Sequence, residues 1–169
     1  MLYTIIKKDR LNKFRNKICK LNFLKHKKIE IMNTFGLKAY DYSKIKVMAG
    51  NGKKLTEQER AVLSVEKYDH DIRELEADLK PEKDELEQQI EKVDGESTNW
   101  RHAEVLRSFY LLGENKQEAA NRVYGECTKQ DVKNLNEILK TAIEFLAKVS
   151  KHVEVQQVNI EDWEDELEG

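Results

Sequence analysis

The chain has 169 residues, of which 37% are charged and 39% hydrophobic, with one proline, seven glycines and two cysteines. Leu, Ala, Glu, Lys and Arg together approach half of it, the composition of long helices and coiled coils. That balance excludes collagen-like, disulfide-knotted, multi-spanning membrane and turn-rich all-β proteins.

The formal charge of -2 conceals a strong asymmetry. Residues 1–31 carry ten Lys or Arg against two acids, whereas residues 154–169 hold seven acids and no Lys or Arg. A basic head, a mixed middle and an acidic tail therefore need separate readings. Cys19 and Cys127 fit no metal-binding or disulfide spacing and read as two free thiols of a reducing compartment, cytoplasmic or otherwise intracellular. No window offers the ~20 consecutive apolar residues of a membrane-spanning helix.

In the head, Leu11, Phe14, Ile18 and Leu21 recur at helical spacing between Lys13, Arg15, Lys17 and Lys20, the pattern of a basic amphipathic helix over residues 11–24. Three readings compete for this segment. A targeting presequence would also be poor in acids, but this one is lysine-dominated and lacks serine. A nucleic-acid arm would contact phosphates through Lys13, Arg15, Lys17 and Lys20. The third reading takes Met32 as the true start, with residues 1–31 outside the native product. The Lys-, Asn- and Ile-rich composition there is also what AT-rich DNA encodes, as in a viral or mobile-element accessory gene. Residues 32–54, containing Gly50-Asn51-Gly52, read as a linker with a short extended piece near Ile45 to Met48.

The helical domain is expected over residues 55–153. Thr56 and Glu59 form a capping box, so a helix starts there. Val65, Ile72, Leu79, Leu86 and Val93 follow every seven residues, with Tyr68 and Leu75 at the intervening seam positions, a coiled-coil-like stripe. Pro81 falls inside this run without breaking its phase, which favours one kinked helix from Thr56 to Val93 over a hairpin at Lys80. Gly95, Gly113 and Gly125 mark helix ends as C-terminal caps. Between them lie a helix with a stripe of Trp100, Ala103, Arg107 and Tyr110, beside Leu106 and Phe109, and a short helix capped by Asn115. Thr128 and Asp131 cap the last helix, whose stripe runs through Val132, Leu135, Leu139, Ala142, Leu146 and Val149 to about Val153. The acidic tail, residues 154–169, is expected to be flexible, with Trp163 and Leu167 as apolar anchors.

Chemistry is scarce. Glu66, His70 and Glu74 share a helix face but read as a solvated charged surface, and His102 as a bundle-edge residue. Residues 115–140 have the order of a helix-turn-helix but a turn one residue too long and an acid, Glu126, where phosphate would approach. No phosphate loop, nucleophile elbow or metal motif occurs, and no motif is specific enough to name a family.

The expectation is an all-α fold: a long helix with a coiled-coil seam, packed with a small helical bundle between a disordered basic head and an acidic tail. Its expected role is a non-enzymatic protein-protein interaction module, an assembly adaptor or small inhibitor. It would bind a protein partner, or a second copy as a homodimer, through Tyr68, Ile72, Leu75, Leu79, Trp163 and Leu167. The alternative is a nucleic-acid-associated regulator using the basic head. Catalytic, cofactor and metal residues are not expected.

Overall fold

The computed structural model describes residues 2–37, 55–126 and 128–167, with side chains from Thr4 to Ser150 within those ranges. Their regular structure is entirely helical: α1 (Leu2–Thr34), α2 (Glu57–Glu96), α3 (Trp100–Leu106) continuing into a π-helical turn (Arg107–Leu111), α4 (Lys116–Tyr124) and α5 (Lys129–Leu167). The fold is all-α. No described helix is long and apolar enough to cross a membrane. The expected linker piece at residues 45–48 and Cys127 lie outside the described residues.

The chain forms two compact units, Met1–Ile18 with Pro81–Gly169, and Cys19–Lys80. In the second unit, α1 ends in a Schellman motif. Gly36 takes a φ of +62°, Gly36 N–H donates to Asn33 O and Leu37 N–H to Met32 O at 2.9 Å, so two otherwise orphaned helix carbonyls are satisfied. Leu37 then buries itself with Ala61, Val62 and Val65 of α2, against which Ile31 and Met32 pack. Lys25 pairs with Glu76 at 2.6 Å and Lys28 with Asp69, so rising α1 numbers meet falling α2 numbers and the helices run antiparallel. The Thr56–Glu59 capping box opens α2 as expected, with Thr56 N–H donating to Glu59 at 2.9 Å and Glu59 N–H to Thr56 Oγ1 at 3.2 Å.

In the first unit the same antiparallel sense appears. Lys7 donates to Gln89 Oε1 at 2.7 Å and Lys17 lies 3.4 Å from Glu82. Leu11, Phe14 and Ile18 of α1 are buried, as are Leu86, Ile90 and Val93 of α2. The head is thus a packed helix here rather than a disordered extension, because the stripe at Leu11, Phe14 and Ile18 has an apolar face available to cover it. Pro81 sits within a single helix, so the continuous reading holds over a hairpin. Gly95 is not a cap: α2 runs through it to Glu96, where Ser97 N–H closes the last turn on Val93 O at 2.8 Å.

The bundle of this unit places α3 on α5 and α4, with α4 also on α5. Asn99 caps α3 by accepting from Arg101 N–H. The expected stripe is only partly right. Ala103, Leu106 and Tyr110 are buried, but so are His102, Val105 and Ser108, while Trp100 is 55% exposed. Packing on two neighbours buries more than one stripe, and the wider π turn rotates the residues after Leu106 out of the α-helical phase. Gly113 and Gly125 do reverse the chain with φ of +70° and +81°. Asn115 and Glu118 make a complete capping box, and Thr128 and Asp131 another. Of the expected α5 stripe, Leu135, Leu139, Ala142, Leu146 and Val149 are buried, while Val132 at its start is half-buried. Its backbone stays helical to Leu167, well past Val153.

Candidate functional site

The first unit contains a groove of about 640 Å³ between α1 and the later turns of α2. Lys7, Arg10, Lys13 and Lys17 project from α1, Glu82, Glu85 and Gln89 from α2, and Leu11, Phe14 and Leu86 form the apolar floor. Helical spacing explains the wall: Arg10, Lys13 and Lys17 are three and four residues apart, so they line one edge of the helix. Part of the charge is engaged inside the groove. Lys7 reaches Gln89, whose amide nitrogen donates to Glu85 at 3.0 Å, and Lys17 faces Glu82. This network satisfies Gln89, a polar residue buried in the α2 seam. Arg10 and Lys13 are exposed and make no hydrogen bond or ion pair among the described residues, which leaves the groove with two uncompensated cations.

The residues expected to touch nucleic acid separate in space and role. Lys13 is an uncompensated cation of the groove and Lys20 an exposed residue of the other unit, but Lys17 is paired. Arg15 points into the bundle. Its Nε donates to Phe109 O at 3.2 Å, one terminal nitrogen donates to Glu114 O at 3.1 Å, and the guanidinium lies 4.1 Å from the centre of the Phe109 ring. A helix end leaves carbonyls without partners, and here an arginine supplies the donors. Arg15 is therefore a structural clasp on the π turn.

The residues expected to bind a protein partner fare similarly. Ile72 and Leu79 are buried within the chain itself, and Tyr68 and Leu75 are half-buried. The α2 seam that was expected to need a second molecule is already covered. Trp163 and Leu167 belong to the helical backbone of α5, with side chains outside the described residues.

Two further clusters carry polar chemistry. Glu114 accepts from Arg122, with Arg122 Nε at 3.1 Å, and also from Ser108 Oγ. The Arg122 hydrogen bond holds the Glu114 carboxyl below the usual carboxylate range. Tyr110, buried on the π turn, has its phenol pushed up to about 12 by burial. In the second cluster, Ser97 Oγ is 2.7 Å from His102 Nδ1, and Ser97 Oγ also accepts from Asn99 N–H at 3.2 Å. Burial, with the Phe145 ring 5.3 Å away, lowers the His102 pKa from its ordinary 6.5. A hydroxyl beside a neutral imidazole is the beginning of a nucleophile-base pair. Here the hydroxyl also ties the backbone between α2 and α3, and no described third group orients the ring from its other nitrogen. The five-residue spacing gives this contact no sequence signature.

His70 and Glu74 form an exposed pair at 3.2 Å, and no group of three or more metal-ligating side chains occurs among the described residues. In comparisons with known proteins, no family model, curated protein or solved structure matches the chain.

Proposed function

We propose that the chain is a non-enzymatic helical interaction module, an adaptor or small inhibitor, whose groove between α1 and α2 receives an acidic amphipathic segment of a partner protein. The observation that carries this reading is the pair of uncompensated cations, Arg10 and Lys13, on the wall of an apolar-floored groove. Oppositely charged rims speed encounter and fix orientation, while apolar contact below them supplies affinity. A helical ligand with carboxylates on one edge and a large apolar residue on the next would meet both requirements.

Nucleic-acid binding by the same helix is the second reading, favoured by the exposed Lys13 and Lys20. It is weakened by Arg15 and Lys17 being engaged within the chain.

Anisotropy titrations of the intact protein against a labelled acidic amphipathic peptide and a labelled random DNA duplex separate the two. The expected result is saturable peptide binding that Lys13→Glu weakens and that salt reduces, with little duplex binding at about 150 mM salt, where the screening length is about 8 Å. Duplex binding that falls steeply with salt, with none of the peptide, would overturn the reading in favour of nucleic acid.

A further inference from the structure

We infer that the occupant of the α1–α2 groove is the acidic C-terminal segment, residues 154–168, of a second copy of this chain. The inference rests on the groove being a protein-docking site and names its ligand.

The complementarity is explicit in sequence and structure. The groove wall has Arg10 and Lys13 without a hydrogen bond or ion pair among the described residues, and its four cations outnumber its two carboxylates, Glu82 and Glu85. Residues 154–168 contain seven carboxylates and no Lys or Arg. The groove floor is apolar, and Ile6, four residues before Arg10 and therefore on the same side of α1, is 44% exposed. The acidic segment contains Trp163 and Leu167 four residues apart, which places both on one side of the α5 backbone, helical to Leu167. A groove of about 640 Å³ is large enough for a large aromatic and an aliphatic side chain.

The choice of a second copy over the same chain follows from α5. From Lys129 to Leu167 there is neither proline nor glycine, so this helix has no hinge on which its last turns could fold back onto the unit that its first turns build. Exchange between two copies needs no such hinge. If each copy gives its acidic segment to the other's groove, the contact is made twice about a two-fold axis and the assembly closes as a dimer. The second contact then forms within an assembled pair, at a high effective concentration.

Sedimentation velocity on the intact chain tests this, with circular dichroism confirming equal helicity of every variant. The native protein is expected to be a dimer at low ionic strength and to dissociate as salt rises. Arg10→Glu with Lys13→Glu, and separately Trp163→Ala with Leu167→Ala, should each weaken the dimer roughly tenfold or more, as removal of interface anchors does. Reversing the groove together with Asp162→Lys and Glu166→Lys in one chain should restore association. A native protein that stays monomeric at low salt overturns the second-copy assignment, and so does a dimer indifferent to both sets of variants. If the intact monomer still binds a generic acidic amphipathic peptide, the groove reading survives that failure; if it binds no such peptide, both fall.

Discussion

His102 shows how a side chain with no recognisable motif acquires a measurable property from its surroundings. Its ring is buried against Phe145 and hydrogen-bonded to Ser97, and burial disfavours the charged form. The unfolded chain therefore binds a proton near pH 6.5 that the folded chain resists. Stability should be fully retained above that pH and should fall as pH drops below it, because the unfolded state takes up more protons. Urea unfolding at about pH 7.5 and about pH 5.5, on either side of the ordinary histidine pKa, checks this. His102→Gln should flatten the difference, and an NMR titration placing His102 at or above 6.5 would contradict it. Arg15 makes a second test at this scale. Hydrogen bonds from a charged donor contribute about 1.5–3 kcal/mol, so Arg15→Ala, losing two of them and the Phe109 contact, should cost on the order of 2–4 kcal/mol. Arg15→Lys should recover only part, since an ammonium cannot reproduce the fork that spans Phe109 O and Glu114 O. A solvent-exposed phosphate contact would instead leave denaturation within about 0.5 kcal/mol of the native protein. From sequence, Arg15 was one cation among ten in the head; only the position of the π turn distinguishes it.

Helices were legible in proportion to how completely one neighbour decides their buried face. The seam Val65, Ile72, Leu79, Leu86 and Val93 was readable from its seven-residue spacing, and the α5 stripe from its period, because each presents one apolar side. The capping boxes at Thr56, Asn115 and Thr128 were readable because their chemistry is local. α3 resisted, since it is enclosed by two helices and then changes pitch, which moves Ser108 inward, while Trp100 stays outside in the first turn. The groove was invisible, because it requires the pairing of two segments far apart in sequence. Two substitutions test these elements. Leu139 lies on the buried face of α5, so Leu139→Ala should cost about 2–5 kcal/mol in chemical denaturation, the range for a truncated core leucine; a loss under about 0.5 kcal/mol would place it at the surface. Pro81 is exposed in the interior of α2, where it removes a backbone donor and crowds the preceding turn. Pro81→Ala should therefore stabilise the protein by up to the ~3 kcal/mol that proline costs a helix interior, and so raise its melting temperature. A lower melting temperature would show that Pro81 is needed for packing.

Over the whole molecule, the charge asymmetry finds its counterpart inside the chain. The segment from Leu2 to Thr34 carries ten Lys or Arg against two acids, and α2 carries fifteen acids against six Lys or Arg. Within each unit these helices run antiparallel with Lys-to-carboxylate pairs between them. Exposed pairs of this kind add little stability each, with a median of about 0–1 kcal/mol, but they disfavour the wrong register. Apolar burial contributes more. Leu11, Phe14, Ile18 and Leu21 are all buried on α1, and full burial of such a side chain contributes about 1.5–3 kcal/mol. Four of them amount to roughly 6–12 kcal/mol, as much as the entire net stability of a typical domain, about 5–15 kcal/mol. A chain beginning at Met32 lacks all four, and its α2 seam at Ile72, Leu79 and Leu86 loses the α1 segment that runs antiparallel to it. Such a protein should melt far below the full chain and self-associate through that seam, whereas Ile72→Asp in the shortened chain should abolish the association. Thermal melts and sedimentation of the three proteins decide the matter. Equal melting temperatures for the full and shortened chains, both unchanged in mass, would mean that residues 2–31 contribute nothing to the fold and that the seam is closed by something other than α1.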